Sequence, residues 1–224
     1  MSLRAFIFDF DGLIVDTETA IYQAWREVYA DHGEELELAT YADCVGSDHG
    51  QFDPMEHLDG LLGRSLDWGT LAPQKEARIR ELLTHQETLP GVRELLALAT
   101  EQGIVCAVAS SSSLNWVGGW LARLELEHHF DVVRTRDHVE RIKPHPDLFL
   151  AAAGGLDVPP ANAIVFEDSE NGLRAAQAAG IHCVAVPNDI TAAGAFEGAA
   201  LRVDSLADVD LGALQEIFEE ANSD

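Results

Sequence analysis

Lysine is nearly missing from this 224-residue chain. Lys75 and Lys143 are its two lysines, and lysine with arginine totals 14 against 39 acidic residues, a formal net charge of −25. A surface of that sign repels phosphate backbones and anionic headgroups, so neither nucleic acid nor a membrane is an expected partner. It reads as a solvated acidic surface rather than an adaptation to a salty cytoplasm. Long apolar runs are missing too, and residues 1–4 lead straight into a strand-like segment. Neither a membrane span nor a signal peptide is expected, and the expected location is cytoplasmic. Cysteine is scarce: Cys44, Cys106 and Cys183 are widely spaced and odd in number, and the last two sit inside apolar runs. Reduced, buried thiols are the expectation, not a disulfide framework. The shortage of basic charge has a further consequence, because any anionic substrate must be attracted locally.

What is present is a core. Hydrophobic residues make up 47% of the chain, an ordinary share for a globular protein. Residues 4–9 (RAFIFD) read as a short strand, apolar on both faces, as in a parallel sheet covered by helices. Residues 17–88 are acidic and rich in helix formers. Ile21, Trp25, Val28 and Tyr29 fall on one helical face ending near Gly33, and "APQKEARIRELLTHQ" reads as a helix with Pro73 in its first turn. Between them, "GSDHGQFDPMEHLDGLLG" predicts repeated turns. From Leu89 onward helices and strands alternate: helix 89–103, strand "IVCAVAS", helix "SSLNWVGGWLARL", strand "FDVVRT", helix "HPDLFLAAAGGL", strand "NAIVFED", helix "NGLRAAQAAG", strand "IHCVAVP". A short strand near 201–203 and a helix within 210–220 follow. The fold class is therefore α/β, a doubly wound parallel sheet. Residues 1–16 and 89–224 form the core, and 17–88 an inserted α-helical cap with hinges near 15–18 and 86–91.

In such a sheet, ligands bind beyond the carboxyl ends of the strands. Four polar clusters fall there: Asp9-Phe10-Asp11-Gly12, Ser110 to Ser113, Lys143-Pro144 and Glu167-Asp168-Ser169. Each alone is an ordinary cap or corner. Together, at one crevice, they describe a site. Asp9, Glu167 and Asp168 offer hard oxygen ligands suited to Mg²⁺, which would also supply local positive potential. Lys143 adds a point charge, and Ser110, with the amides of a helix N-terminus, adds donors for phosphate oxygens. Asp9 and Asp11 lie two positions apart, so extended backbone sends both to one side. One can attack phosphorus while the other serves as acid or base.

The motifs "DFDGLIVDTE", "VASSS", "KPHPDLF" and "VFEDSENGLRAAQAAG" resemble, in order and spacing, those of the haloacid dehalogenase-like superfamily. The resemblance is to the branch that includes beta-phosphoglucomutase and its phosphatase relatives. It implies a Rossmann-like core with a helical cap, Asp9 as nucleophile, and Asp11 as the acid that protonates the leaving alcohol and then the base on water. It implies Mg²⁺ on Asp9, Asp168 and the backbone carbonyl of Asp11, with Glu167 direct or water-bridged. Ser110 and Lys143, with Ser111 beside them, would hold the phosphoryl oxygens. Asp16, Thr17 and Ser169 lie in the motifs as support for hinge and loop.

Departures set the expected reaction. Ala20 and Ile21 stand where the mutase carries a cap histidine, and the loop "CVGSDHGQFD" offers His49 but no lysine or arginine. A mutase must hold a second, non-reacting phosphate. Arg64, Lys75 and Arg78 could substitute but read better as solvated helix charges. The expected function is thus a Mg²⁺-dependent phosphatase acting on a small phosphomonoester, such as a sugar phosphate. The alternatives are a phosphomutase of the same fold and a non-catalytic phospho-ligand-binding relative, which would have no physical reason to keep Asp11 and Asp168. Dehalogenases of the superfamily attack carbon without a metal, which a second acid and an acidic fourth motif argue against. The scattered His128, His129, His145 and His182 do not resemble a transition-metal site. A monomer is the expected assembly, with Trp116 and Trp120 packing the core rather than an interface.

Overall fold

The computed structural model describes residues 2–42, 45 and 52–220, with side chains to residue 218. Cys44 and His49 lie outside the described residues. In chain order the elements are β1 (Ala5–Phe8), α1 (Glu18–Asp31), α2 (Leu38–Ala42), α3 (Pro54–Leu62), α4 (Trp68–Leu82), α5 (Val92–Gln102), β2 (Val105–Ala109) and α6 (Leu114–Arg123). There follow β3 (Val132–Arg134), α7 (Asp147–Gly155), β4 (Ala163–Glu167), α8 (Glu170–Ala178), β5 (His182–Ala185), β6 (Leu201–Arg202) and α9 (Leu211–Glu220).

The six strands form one sheet in the order β3-β2-β1-β4-β5-β6, with every pairing parallel. The all-apolar β1 is central because its two faces both need cover. Phe6 and Phe8 point to one face, where Phe166 lies 5.2 and 5.0 Å from their rings and α5, α6 and α9 supply Leu95, Leu96, Val117, Leu121, Leu214 and Phe218. Ala5 and Ile7 point to the other, covered by Leu148, Phe149 and Ala152 of α7 and Leu173 and Ala176 of α8. This is the doubly wound arrangement that the alternating pattern predicts.

Helices α1–α4 lie between β1 and α5 in the chain. Trp25, Tyr29, Leu36, Tyr41 and Leu58 form a separate apolar cluster there. Two expectations need correction in this stretch. The segment expected to turn repeatedly contains the helix α3: Asp53 caps it, accepting from Met55 N at 2.8 Å, Pro54 opens it, and Gly63 closes it at φ 63°. A capping side chain followed by proline at the first helical position is a helix start. Helix α4 begins at Trp68, so Pro73 lies inside it rather than in its first turn. Where the chain leaves the sheet and returns, Val15 pairs with Thr88 and Leu89 N donates to Ile14 O at 2.9 Å.

Cys106 and Cys183 are free and buried, as expected, and burial pushes the Cys106 thiol up to about 12. Among the described residues, no helix is long and apolar enough to cross a membrane.

Candidate active site

Because the strands are parallel, the residues following β1, β2 and β4 emerge on one edge of the sheet. Asp9 continues β1, its N–H donating to Phe166 O at 3.0 Å, and its side chain is buried. Glu167 and Asp168 close β4, each 1% exposed. Ser110 follows β2, with its N–H on Arg134 O at 3.0 Å. Lys143 precedes α7, with a cis peptide to Pro144.

The sheet edge brings these groups together. Lys143 Nζ forms ion pairs with Asp9 Oδ1 and, at 2.5 Å, with Glu167 Oε1. The second oxygen of Glu167 accepts from the backbone N–H and hydroxyl of Ser169, at 3.0 and 2.9 Å. The Ser169 hydroxyl in turn caps α8 by accepting from Gly172 N. Gly172 leaves the room the Glu167 carboxyl occupies: a Cβ would lie 1.8 Å from its carboxyl carbon. Asp168 Oδ2 accepts from Asn188 Nδ2 at 2.7 Å, and the same amide donates to Gly12 O at 3.0 Å.

Asp9, Glu167 and Asp168 each present an oxygen within 4.8 Å of the others. Burial pushes Asp9 up to about 8, against the pull of Lys143, and Glu167 and Asp11 raise it further. Burial likewise raises Asp168 well above the usual carboxylate range, with Glu167 and Asp9 adding repulsion. For Lys143, burial works downward but the two carboxylates outweigh it and hold it above its ordinary value. One ammonium thus faces three buried carboxylates, and a hard divalent cation is what such an oxygen set fits. No histidine joins this group among the described residues, and the rings of His128 and His129 pack against each other.

Asp11 is held differently. Its Oδ1 accepts from Thr17 Oγ1 at 2.8 Å and Trp116 Nε1 at 2.7 Å, and its Oδ2 from Ser112 Oγ at 2.6 Å and Ser110 Oγ at 3.3 Å. Of these donors, Ser112 and Trp116 had no signal in the sequence beyond lying near Ser110. Trp116 packs against the core as expected, but its indole N–H belongs to the site.

A cavity of about 380 Å³ opens above Asp9 and Asp11, lined by Ser110 to Ser113, Trp116 and Arg136 on the sheet side. Helices α1 and α4 roof it with Glu18, Ile21, Trp25, Lys75, Glu76 and Ile79. Ser111 is thus placed in the cavity wall, while Lys143 turns to the carboxylates beneath. Lys75 is not the solvated helix charge expected. Its side chain is 15% exposed, its ammonium lies 4.0 Å from the Trp25 ring centroid, and burial lowers its pKa. Arg78 does lie at the surface, paired with Glu27 and Glu81.

Glu18 is the unanticipated acid of the roof. Burial pushes it up to about 8, Asp11 and Asp9 add repulsion, and the Tyr41 hydroxyl, donating at 3.3 Å, pulls the other way. A carboxyl with a raised folded pKa favours folding below its unfolded value near 4.5, and that contribution is lost as pH rises through about 8. Glu18→Gln keeps an acceptor for Tyr41 and cannot ionise. Its stability relative to wild type should therefore rise by roughly 4 kcal/mol between pH 5 and pH 8.5, read by urea unfolding at the two values. A constant difference would show that Glu18 ionises without cost.

The family model described as haloacid dehalogenase-like hydrolase matches residues 6–186. YhcW of Bacillus subtilis (strain 168) is 39% identical over 220 residues, covering 98% of this chain and 100% of that protein. The fructose-1-phosphate phosphatase YqaB of Escherichia coli (strain K12) is 35% identical over 181 residues, covering 80% and 94%. Among solved structures, beta-phosphoglucomutase from Clostridium difficile superposes with a TM-score of 0.79 at 28% identity, covering 99% of this chain and 100% of that one. The family model thus spans β2 to β5, all of β1 but Ala5, and every residue of the carboxylate–lysine group, and the chain belongs to the haloacid dehalogenase-like hydrolases.

Proposed function

We propose that the chain, a phosphoric monoester hydrolase of this family, cleaves small sugar phosphates through an aspartyl-phosphate formed on Asp9. The observation that carries this reading is the buried Asp9–Lys143–Glu167 group lying under a cavity into which Asp11 also points. Residues 17–88 act as a helical cap over the core of 1–16 and 89–224, since α1 and α4 roof the cavity. The sugar class is supported by the fructose-1-phosphate phosphatase relative.

Mg²⁺ held by Asp9, Asp168, Glu167 and the backbone carbonyl of Asp11 would supply positive charge at the transferring phosphoryl group. An Asp9 carboxylate oxygen bonds to phosphorus as the bond to the leaving oxygen breaks, and Asp11 gives that oxygen its proton. Asp11 then takes a proton from water as the water oxygen bonds to phosphorus, which frees Asp9 and releases inorganic phosphate. Lys143 holds Asp9 in line and neutralises part of its charge, while Ser110, Ser111 and the amides at the start of α6 receive the phosphoryl oxygens.

Chelation tests the metal. Phosphate release should fall by about 10² or more with excess chelator and return with added Mg²⁺, while far-ultraviolet dichroism stays unchanged. Full activity in chelator would remove the metal from the reading. Lys75 favours a second reading, a mutase, because it places a cation inside the cavity where a non-reacting phosphate could lie. Isomerisation of a hexose phosphate stimulated by its bisphosphate would establish that reaction, and free phosphate alone would exclude it.

A further inference from the structure

The four donors on Asp11 are not equivalent. Thr17, Ser110 and Ser112 present hydroxyls, which can donate or accept, whereas an indole N–H only donates. That N–H lies 2.7 Å from Oδ1. The backbone and the ring of Trp116 are each held by a further contact. The backbone N–H of Trp116 closes on the N-cap Ser113 at 3.3 Å, and its ring meets Trp120 edge-on at 6.0 Å and 73°. Trp120 is itself stacked by Arg123 at 4.6 Å. A side chain held this firmly fixes the orientation of what it binds.

We propose that Trp116 is a positioning residue for Asp11: its indole N–H reserves Oδ1 as an acceptor and leaves Oδ2 as the oxygen that exchanges a proton with the reacting group. This rests on the reading of Asp11 as acid and base. In the first step the phosphorus–oxygen bond to the alcohol breaks, the bond to Asp9 forms, and the proton passes from Oδ2 of Asp11 to the alkoxide. Without the indole, the carboxyl group can turn about its Cβ–Cγ bond, and the proton can occupy the oxygen facing away. Thr17 on Oδ1 and Ser110 and Ser112 on Oδ2 do not prevent this, since each hydroxyl can accept from a protonated oxygen or donate to a bare one.

The role separates from packing by the leaving group. A good leaving group such as p-nitrophenolate departs without a proton, and an alkoxide does not. Trp116→Phe keeps an aromatic ring against Trp120 and removes the N–H. Its kcat/KM for a hexose phosphate should fall about tenfold further than its kcat/KM for p-nitrophenyl phosphate, a difference equivalent to about 1.4 kcal/mol. Equal losses on both substrates, or none on either, would overturn the proposal. Asp11→Asn measured beside it separates the two levels of the argument. A leaving-group split in Asp11→Asn without one in Trp116→Phe rejects Trp116 alone. No split in either rejects the acid role of Asp11 as well. Should the phenylalanine variant fail to fold, Trp116→Leu, which also lacks the N–H, is judged by the same pair of substrates.

Discussion

Asp9→Asn should release phosphate at least about 10⁴-fold more slowly than wild type, the scale seen when an enzyme loses its nucleophile. The amide has nearly the shape of the carboxylate but lacks its nucleophilic oxygen, so binding and fold survive while bond formation to phosphorus does not. The folded state should not suffer, because burial already opposes the charge on Asp9 and Lys143 keeps Glu167 as a partner. The melting temperature is therefore expected at or above that of wild type. Mass spectrometry of acid-quenched turnover should find a phosphoryl adduct on the peptide carrying Asp9, and none in the variant. Turnover of Asp9→Asn within a hundredfold of wild type would leave the aspartyl-phosphate without support.

Removing Lys143 is expected to damage both stability and rate. Its ammonium is the shared partner of two carboxylates, and all three side chains are nearly inaccessible to water. Lys143→Met fills similar volume but strands Asp9 and Glu167 opposite each other, and breaking a buried ion pair from one side costs about 3–5 kcal/mol. For a chain of this length that is on the order of a 10 °C lower melting temperature. Activity should fall by about 10³ or more, because the nucleophile loses the group that orients it. The double variant Lys143→Met with Glu167→Gln removes one of the stranded charges. It should regain a good part of the stability and none of the activity. Recovery of both would mean that Lys143 serves only as ballast for charge, and recovery of neither would point to a packing role.

Much of this architecture is legible in residue order because parallel sheets write it in local signals. The run Ala5-Phe6-Ile7-Phe8 is apolar at every position, which only a strand covered on both sides requires, and it is the central strand. Asp9, Ser110 and Asp168 directly follow recognisable strands, Glu167 ends one, Asp11 lies two positions beyond Asp9, and Lys143 stands just ahead of a helix opened by Pro146, so knowing the fold class places them on one edge. Other features depend on contacts no local pattern encodes. Trp116 reaches Asp11 across 105 positions, and Asn188 reaches Asp168 across 20 through a loop without periodicity. Lys75 reads as a surface charge on an amphipathic helix until the indole of Trp25 is seen beneath it. Asp53, Pro54 and Gly63 signal helix α3, but the glycines and aspartates around them give the stretch the composition of a loop.

Ile14 and Leu89 are joined by one hydrogen bond, and everything between them belongs to the chain that roofs the cavity. The excursion is also tied down away from that point: Ala20, Ala24, Ile79 and Leu83 pack in one apolar cluster with Phe6 and Phe8, and Thr17 donates to Asp11. A transplant of residues 17–88 from a relative therefore keeps the sheet covered and the acid in place only if it carries these positions with it.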